Sequence, residues 1–219
     1  MRKKLIILIP LILILLIIGC CLLTIENIVL PPTRIGEGKS YVTLANFYTF
    51  ESAIAESDIV AHVRIGNWIG ENIDSDTTYY EATIVEQFTG EEIYEIVLKQ
   101  DGCSRCTYAG YPLFTSGNEL LVFLKKSNMP EYDNAYWIIG SYTTVLYAVS
   151  DEKGNVYYLD RYIFLSDTAE GIINYIPKDS FAYKLFKKVI EEDPLLAGMT
   201  FGYTYLYSRE DFKELVEKQ

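Results

Sequence analysis

The chain has 219 residues, half of them apolar, with 19 basic against 30 acidic side chains and a formal net charge of −11. That length suits one domain with an anchor or a small extension. So acidic a surface repels phosphate backbones, anionic lipid headgroups and anionic wall polymers, which argues against nucleic-acid binding.

The N-terminus decides the compartment. After "MRKK", residues 5–25 form a run of 21 positions without a charge. At ~1.5 Å per helical residue this spans the ~30 Å hydrocarbon core of a bilayer, and Pro10 is tolerated in such a helix. Arg2, Lys3 and Lys4 flank one side and the first acid, Glu26, the other. The positive-inside bias therefore predicts residues 1–4 in the cytoplasm and everything after residue 25 outside the cell membrane. A cleaved secretory signal would need a shorter apolar region and an Ala-x-Ala-like site, and neither is present. "IIGC" (17–20) resembles the lipobox of bacterial lipoproteins, with Cys20 as the residue that would be lipidated. Against that alternative, Cys21, Leu22 and Leu23 continue the apolar run. Either anchor holds the same domain outside the cytoplasm. Without Arg2, Lys3 and Lys4, that domain carries 16 basic and 30 acidic residues, a net of −14.

Residues 26–48 include "ENIVLPPTRIGEGKS", whose prolines, glycines and mixed charge predict a linker. "YTFESAIAESD" follows, with Phe50, Ala53 and Ile54 on one face of a short helix. Strands then dominate. Residues 58–69 alternate, with Ile59, Ala61, Val63 and Ile65 on one face and Val60, His62 and Arg64 on the other. Residues 77–88 alternate likewise, with Tyr80, Ala82, Ile84 and Glu86 opposite Tyr79, Glu81, Thr83 and Val85. A turn at Gly90 precedes a third strand over 93–99. Residues 118–127 centre on the unbroken apolar run Leu120 to Leu124, the pattern of a strand that is central or buried on both faces. Further strands are expected at 136–140, 144–150 and 155–160, the last two joined by a turn at 151–155. Short strands at this spacing predict a small antiparallel sandwich or barrel.

The end of the chain changes character. Residues 178–194 place Phe181, Leu185, Phe186, Val189 and Ile190 at helical spacing. "SREDFKELVEKQ" opens with a capping box, Ser208-x-x-Asp211, before Phe212, Leu215 and Val216. Two amphipathic helices are expected after the sheet.

Residues 51–158 resemble the netrin-like OB-fold of bacterial extracytoplasmic proteins similar to tissue inhibitors of metalloproteinases. The stretches that carry the likeness are "AIAESDIVAHVRI", "YYEATIVEQFTGEEIYEIVLKQDG", "PLFTSGNELLVFLKK" and "YWIIGSYTTVLYAVSDEKGNVYY". The resemblance implies a mainly β fold, a five-stranded OB-fold-like antiparallel barrel. The expected layout is a basic flank (1–4), one N-terminal transmembrane helix (5–25), a linker (26–48), the OB-fold-like domain (49–165) and a C-terminal helical extension (166–219). The inhibitory chemistry of that family uses a free N-terminal cysteine to chelate a protease zinc. Here a tether precedes the barrel, and no residue can be assigned that role.

"QDGCSRCTYAGYP" holds the chain's only Cys-x-x-Cys, Cys103 and Cys106. Three readings stand: a disulfide staple or free thiols, a redox centre, or half of a metal site. A redox centre needs its first cysteine at a helix N-terminus, and Gly110 and Pro112 oppose a helix here. A structural zinc needs four ligands, and His62 with two cysteines in the membrane segment does not complete one. A disulfide persists outside the cytoplasm, although closing so short a loop gains only about 2 kcal/mol. His62, the single histidine, sits mid-strand without a hydrolase motif and is expected to be structural. Glu71, Asp74 and Asp76 cluster, but an EF-hand pattern counted from Asp74 meets Val85 where it needs glutamate. Nineteen tyrosines invite a stacking surface. Tyr203, Tyr205 and Tyr207 alternate along one strand, Tyr108 and Tyr111 flank the cysteine loop, and Tyr157 and Tyr158 sit on a hairpin. Tyrosine is equally a good strand residue with a polar tip.

These readings lead to a membrane-tethered extracytoplasmic binding module without catalytic activity or cofactor. Its partner would be an extracytoplasmic protein or glycan. A protease inhibitor and a thiol–disulfide protein are the alternatives.

Overall fold

Alternation of apolar and polar residues becomes a sheet with two differently filled faces. The computed structural model describes residues 38–40, 48–108, 113–160 and 205–219, with the backbone alone at 38–40, 108 and 205. The expected membrane segment with Cys20, most of the linker, Tyr111, the helical stretch 178–194 and Tyr203 lie outside these residues. Among the described residues no helix is long and apolar enough to cross a membrane.

In chain order the elements are β1 (Gly38–Ser40), α1 (Phe50–Glu56), β2 (Ile59–Asn72), β3 (Thr77–Thr89), β4 (Glu95–Asp101) and β5 (Cys106–Tyr108). There follow β6 (Glu119–Lys126), β7 (Ala135–Ile138), a 3₁₀ turn (Ser141–Thr144), β8 (Leu146–Ser150), β9 (Val156–Asp160), β10 (Tyr205–Ser208) and α2 (Arg209–Glu217). β2 pairs with β3, β3 with β4, β4 with β7, β7 with β6, and β6 back with β2. This closes a five-stranded, OB-fold-like barrel, as the sequence reading expects. β8, β9 and β10 extend the same sheet outward from β6.

The expectation of a wholly antiparallel barrel is corrected at one seam. β4 and β7 run parallel, with Val97 opposite Ala135 and Lys99 opposite Trp137. Parity requires it: strands that alternate in direction around a closed ring of five must meet one neighbour in the same direction.

The barrel is solid. Ile59, Ala61, Val63, Ile65, Tyr80, Ala82, Leu98, Leu120, Val122 and Leu124 are among the side chains that fill it. A second core lies on the outer face, where Phe50 and Ala53 of α1 and Phe212 of α2 meet Val60, Leu121, Phe123, Leu146, Tyr158 and Tyr207. β6 belongs to both cores, sending Leu120, Val122 and Leu124 inward and Leu121 and Phe123 outward. Each fully buried aliphatic or aromatic side chain contributes roughly 1.5–3 kcal/mol of transfer free energy, so β6 holds the two cores together.

Both helices are set by local capping boxes. The Thr49 hydroxyl accepts from the Ser52 N–H, and the Ser52 hydroxyl from the Thr49 N–H. Ser208 and Asp211 do the same for α2.

One register feature positions the candidate site. His62 faces Glu86 across β2 and β3, but Val63 faces Ile84, so Val85 is an extra residue on β3. This β-bulge resets the alternation. Ile84 packs against the barrel core, whereas Glu86 joins His62 on the outer face. The sequence pattern places Glu86 on the same face as Ile84, and the bulge overturns that grouping.

Candidate functional site

The Cys-x-x-Cys loop is bound to the β2–β3 turn by polar contacts. Cys103 and Cys106 form a narrow antiparallel bridge through their own backbones, with N···O distances of 2.8 and 3.1 Å. Of the staple and free-thiol alternatives the structure has the second: no disulfide is formed, and both cysteines are free thiols. The Cys103 thiol instead donates to Asp76 Oδ1 at 3.3 Å. Ser104 donates to the Glu71 carboxylate from its N–H (2.8 Å) and its hydroxyl (2.6 Å). Arg105 donates to the Ile73 carbonyl at 2.8 Å and to Asp76 at 3.1 Å. Arg105 and the Cys103 thiol hold the Asp76 carboxyl below its usual pKa, while burial pushes the Cys103 thiol up. Glu71 and Asp76 are thus engaged in holding this loop. Among the described residues no group of three or more His, Cys, Asp or Glu is arranged to hold a metal ion.

The tyrosines do not assemble as a described platform. Tyr207 is buried in the outer core, which removes it from any contact surface. Tyr158 is buried beside it. Tyr108 and Tyr205 are described by backbone alone, and Tyr111 and Tyr203 lie outside the described residues. Among the described residues the most exposed large apolar side chain is Tyr94, which no sequence signal singles out.

The structure instead brings together residues that are far apart in the chain. An open cleft of about 430 Å³ is lined by His62, Arg64, Val85, Glu86, Glu119, Ser150, Val156 and Arg209. Its lining comes from β2, β3, β6, β8 and β9 and from the first residue of α2. Arg64 and Glu119 are cross-strand partners. The Arg64 Nε and Nη2 donate to Glu119 Oε1 at 2.8 and 2.6 Å. Glu119 Oε2 lies 3.0 Å from His62 Nε2. A carboxylate only accepts, so the imidazole carries its proton on Nε2. Arg209 reaches back 123 positions to grip Glu86, with Nε–Oε2 at 2.5 Å and Nη2–Oε1 at 2.6 Å.

His62 is 2 % exposed and meets the Tyr158 ring edge-on. Burial lowers its pKa, and the nearby Glu119 only partly offsets this. The imidazole is therefore neutral near pH 7. The Tyr158 hydroxyl is buried without a hydrogen-bond partner among the described residues. Burial and the carboxylate of Glu86 raise its pKa, so it stays protonated. Chemically, the cleft offers guanidinium donors fixed by half-buried carboxylates. Among the described residues no hydroxyl hydrogen-bonds the imidazole in the way that activates a nucleophile.

Sequence reasoning identifies His62 as structural and passes over Arg64, Glu86, Glu119 and Arg209. Their convergence depends on pairings 55 to 123 residues apart, for which no local pattern is a signal. Comparison of the chain with protein-family models and with curated proteins finds no match.

Proposed function

We propose that the chain is an extracytoplasmic binding module without catalytic activity, held at the cell membrane by its N-terminal segment, with its ligand seated in the His62–Arg209 cleft. The observation that carries this reading is the cleft itself. Five strands and a helix bring two carboxylate-fixed arginines to one concavity, above a barrel whose interior is filled with side chains. A ligand must therefore bind outside the barrel, and this concavity presents donors that are already oriented. The charge-free run 5–25 and its basic flank support the tether. The closed barrel agrees with the fold implied by the netrin-like resemblance. The thiol–disulfide alternative has less support, because Cys103 is buried with its pKa raised, the reverse of an activated thiol.

The test uses the full chain in its native envelope, with a photo-crosslinking amino acid at Val85 in the cleft or, as control, at exposed Tyr94. A discrete cross-linked product from position 85 and none from position 94 is expected. Equal labelling, or none at position 85, would refute the reading.

A further inference from the structure

Resting on that binding reading, we infer that the cleft takes a carboxylate-bearing ligand, such as the free C-terminus of a peptide or a sugar acid. The cleft presents more guanidinium than carboxylate to solvent. The Arg64 side chain is 59 % exposed against 26 % for Glu119, and Arg209 is 46 % exposed against 22 % for Glu86. Each glutamate holds the Nε edge of its arginine through Nε and Nη2, which fixes the plane of the fork. A planar fork held in place matches a planar carboxylate and loses little side-chain entropy on binding it. Glu210 competes for Arg209 Nη1 at 3.6 Å, but its side chain is 75 % exposed and free to swing away.

A second feature lies next to the cleft. The Tyr158 hydroxyl is fully buried, has no partner among the described residues, and lies in the field of Glu86, Arg209 and Glu119. A buried hydroxyl without a partner costs stability, and Tyr158, whose ring meets His62 edge-on, holds this unspent donor beside the cleft lining and not within it. The neutral His62 adds no charge to the lining. Two arginines and two glutamates leave the cleft near neutral, within a chain of net charge −11. Recognition is therefore short-range: the ligand's acid group is read by the arginine forks and is not drawn in by the field of the whole molecule.

The experiment is a ligand-observed NMR titration of the full chain in detergent micelles. The probes are N-acetyl-dialanine with a free carboxylate, the same peptide as its amide, glucuronate, and inorganic phosphate. At least one free acid is expected to bind with a Kd in the millimolar range or below, and roughly tenfold more tightly than the amide. Arg64→Lys and Arg209→Lys keep the charge but lose the fork, and each should weaken the acid about tenfold. Their urea midpoints serve as the folding control. Preference for the peptide or for glucuronate identifies the source of the carboxylate. The inference is overturned if acid and amide bind alike, if phosphate binds more tightly than both acids, if folded Lys variants bind as the parent does, or if neither acid binds at 10 mM. Should any of these occur while Val85 still cross-links a ligand, the binding module stands and only the carboxylate assignment falls.

Discussion

At the residue scale, two turn glycines separate backbone strain from steric conflict. Gly90 and Gly154 both have positive φ, +90° and +83°. A Cβ at Gly90 would sit 2.1 Å from the Asp58 carbonyl oxygen, whereas one at Gly154 would meet nothing within 4 Å. Gly154→Ala should therefore cost about 1 kcal/mol, the left-handed penalty alone. Gly90→Ala must also move backbone and should cost about 3 kcal/mol or more. Urea unfolding of both variants checks the difference, and equal midpoints would contradict it. His62 yields a pH prediction. Its pKa is depressed in the folded state, so the unfolded chain binds the proton more readily. Stability is then full above the unfolded value of 6.5 and falls as pH drops through the range beneath it. His62 is the single histidine of the chain, and the depressed carboxyls of Asp76 and Asp151 lose their contribution only below about pH 4. A decline in urea midpoint between about pH 6.5 and 5, absent in His62→Gln, is the expected result.

At the element scale, what was legible in the sequence is what depends on neighbours along the chain. The capping box Ser208-x-x-Asp211 predicts the start of α2 because both partners lie within one turn. The apolar run of β6 predicts burial on both faces because no polar residue interrupts it. The bulge at Val85 and the parallel β4–β7 seam escape such a reading, since both are fixed by register with distant strands. The cleft inherits that blindness, because without the bulge Glu86 would face the barrel interior and Arg209 would lose it as a partner. The energetics of α2 separate along the same line. Ser208→Ala removes a local cap and should cost about 1 kcal/mol. Phe212 is fully buried and packs edge-on against Phe50, Phe88, Phe123 and Tyr158. Phe212→Ala should therefore cost about 3–5 kcal/mol in thermal or urea unfolding. A smaller loss for Phe212→Ala than for Ser208→Ala would mean that tertiary packing does not hold the helix.

At the scale of the whole molecule, the question is whether the barrel and the outer core are one cooperative unit. The chain holds two tryptophans, and the fold assigns one to each core. Trp68 packs against the barrel interior and Trp137 against the outer core with α1 and α2. β6 lines both cores, so unfolding the outer layer would bare Leu121 and Phe123 and strip the strand that closes the barrel. At roughly 1.5–3 kcal/mol per exposed side chain, a state with only the barrel intact lies well above the native state. The two layers should then melt together. Trp68→Phe and Trp137→Phe each leave one reporter. The fluorescence transition of each single-tryptophan chain should coincide with its own far-UV circular dichroism transition in urea. Were Trp137 to report an earlier transition than the β-sheet signal of the same chain, the outer layer would be a separable unit. The cleft, whose lining includes Arg209 of α2, would then open before the barrel does, and ligand binding would stabilise the early transition alone. A single transition implies instead that a ligand seated between Arg64 and Arg209 raises the stability of both cores together.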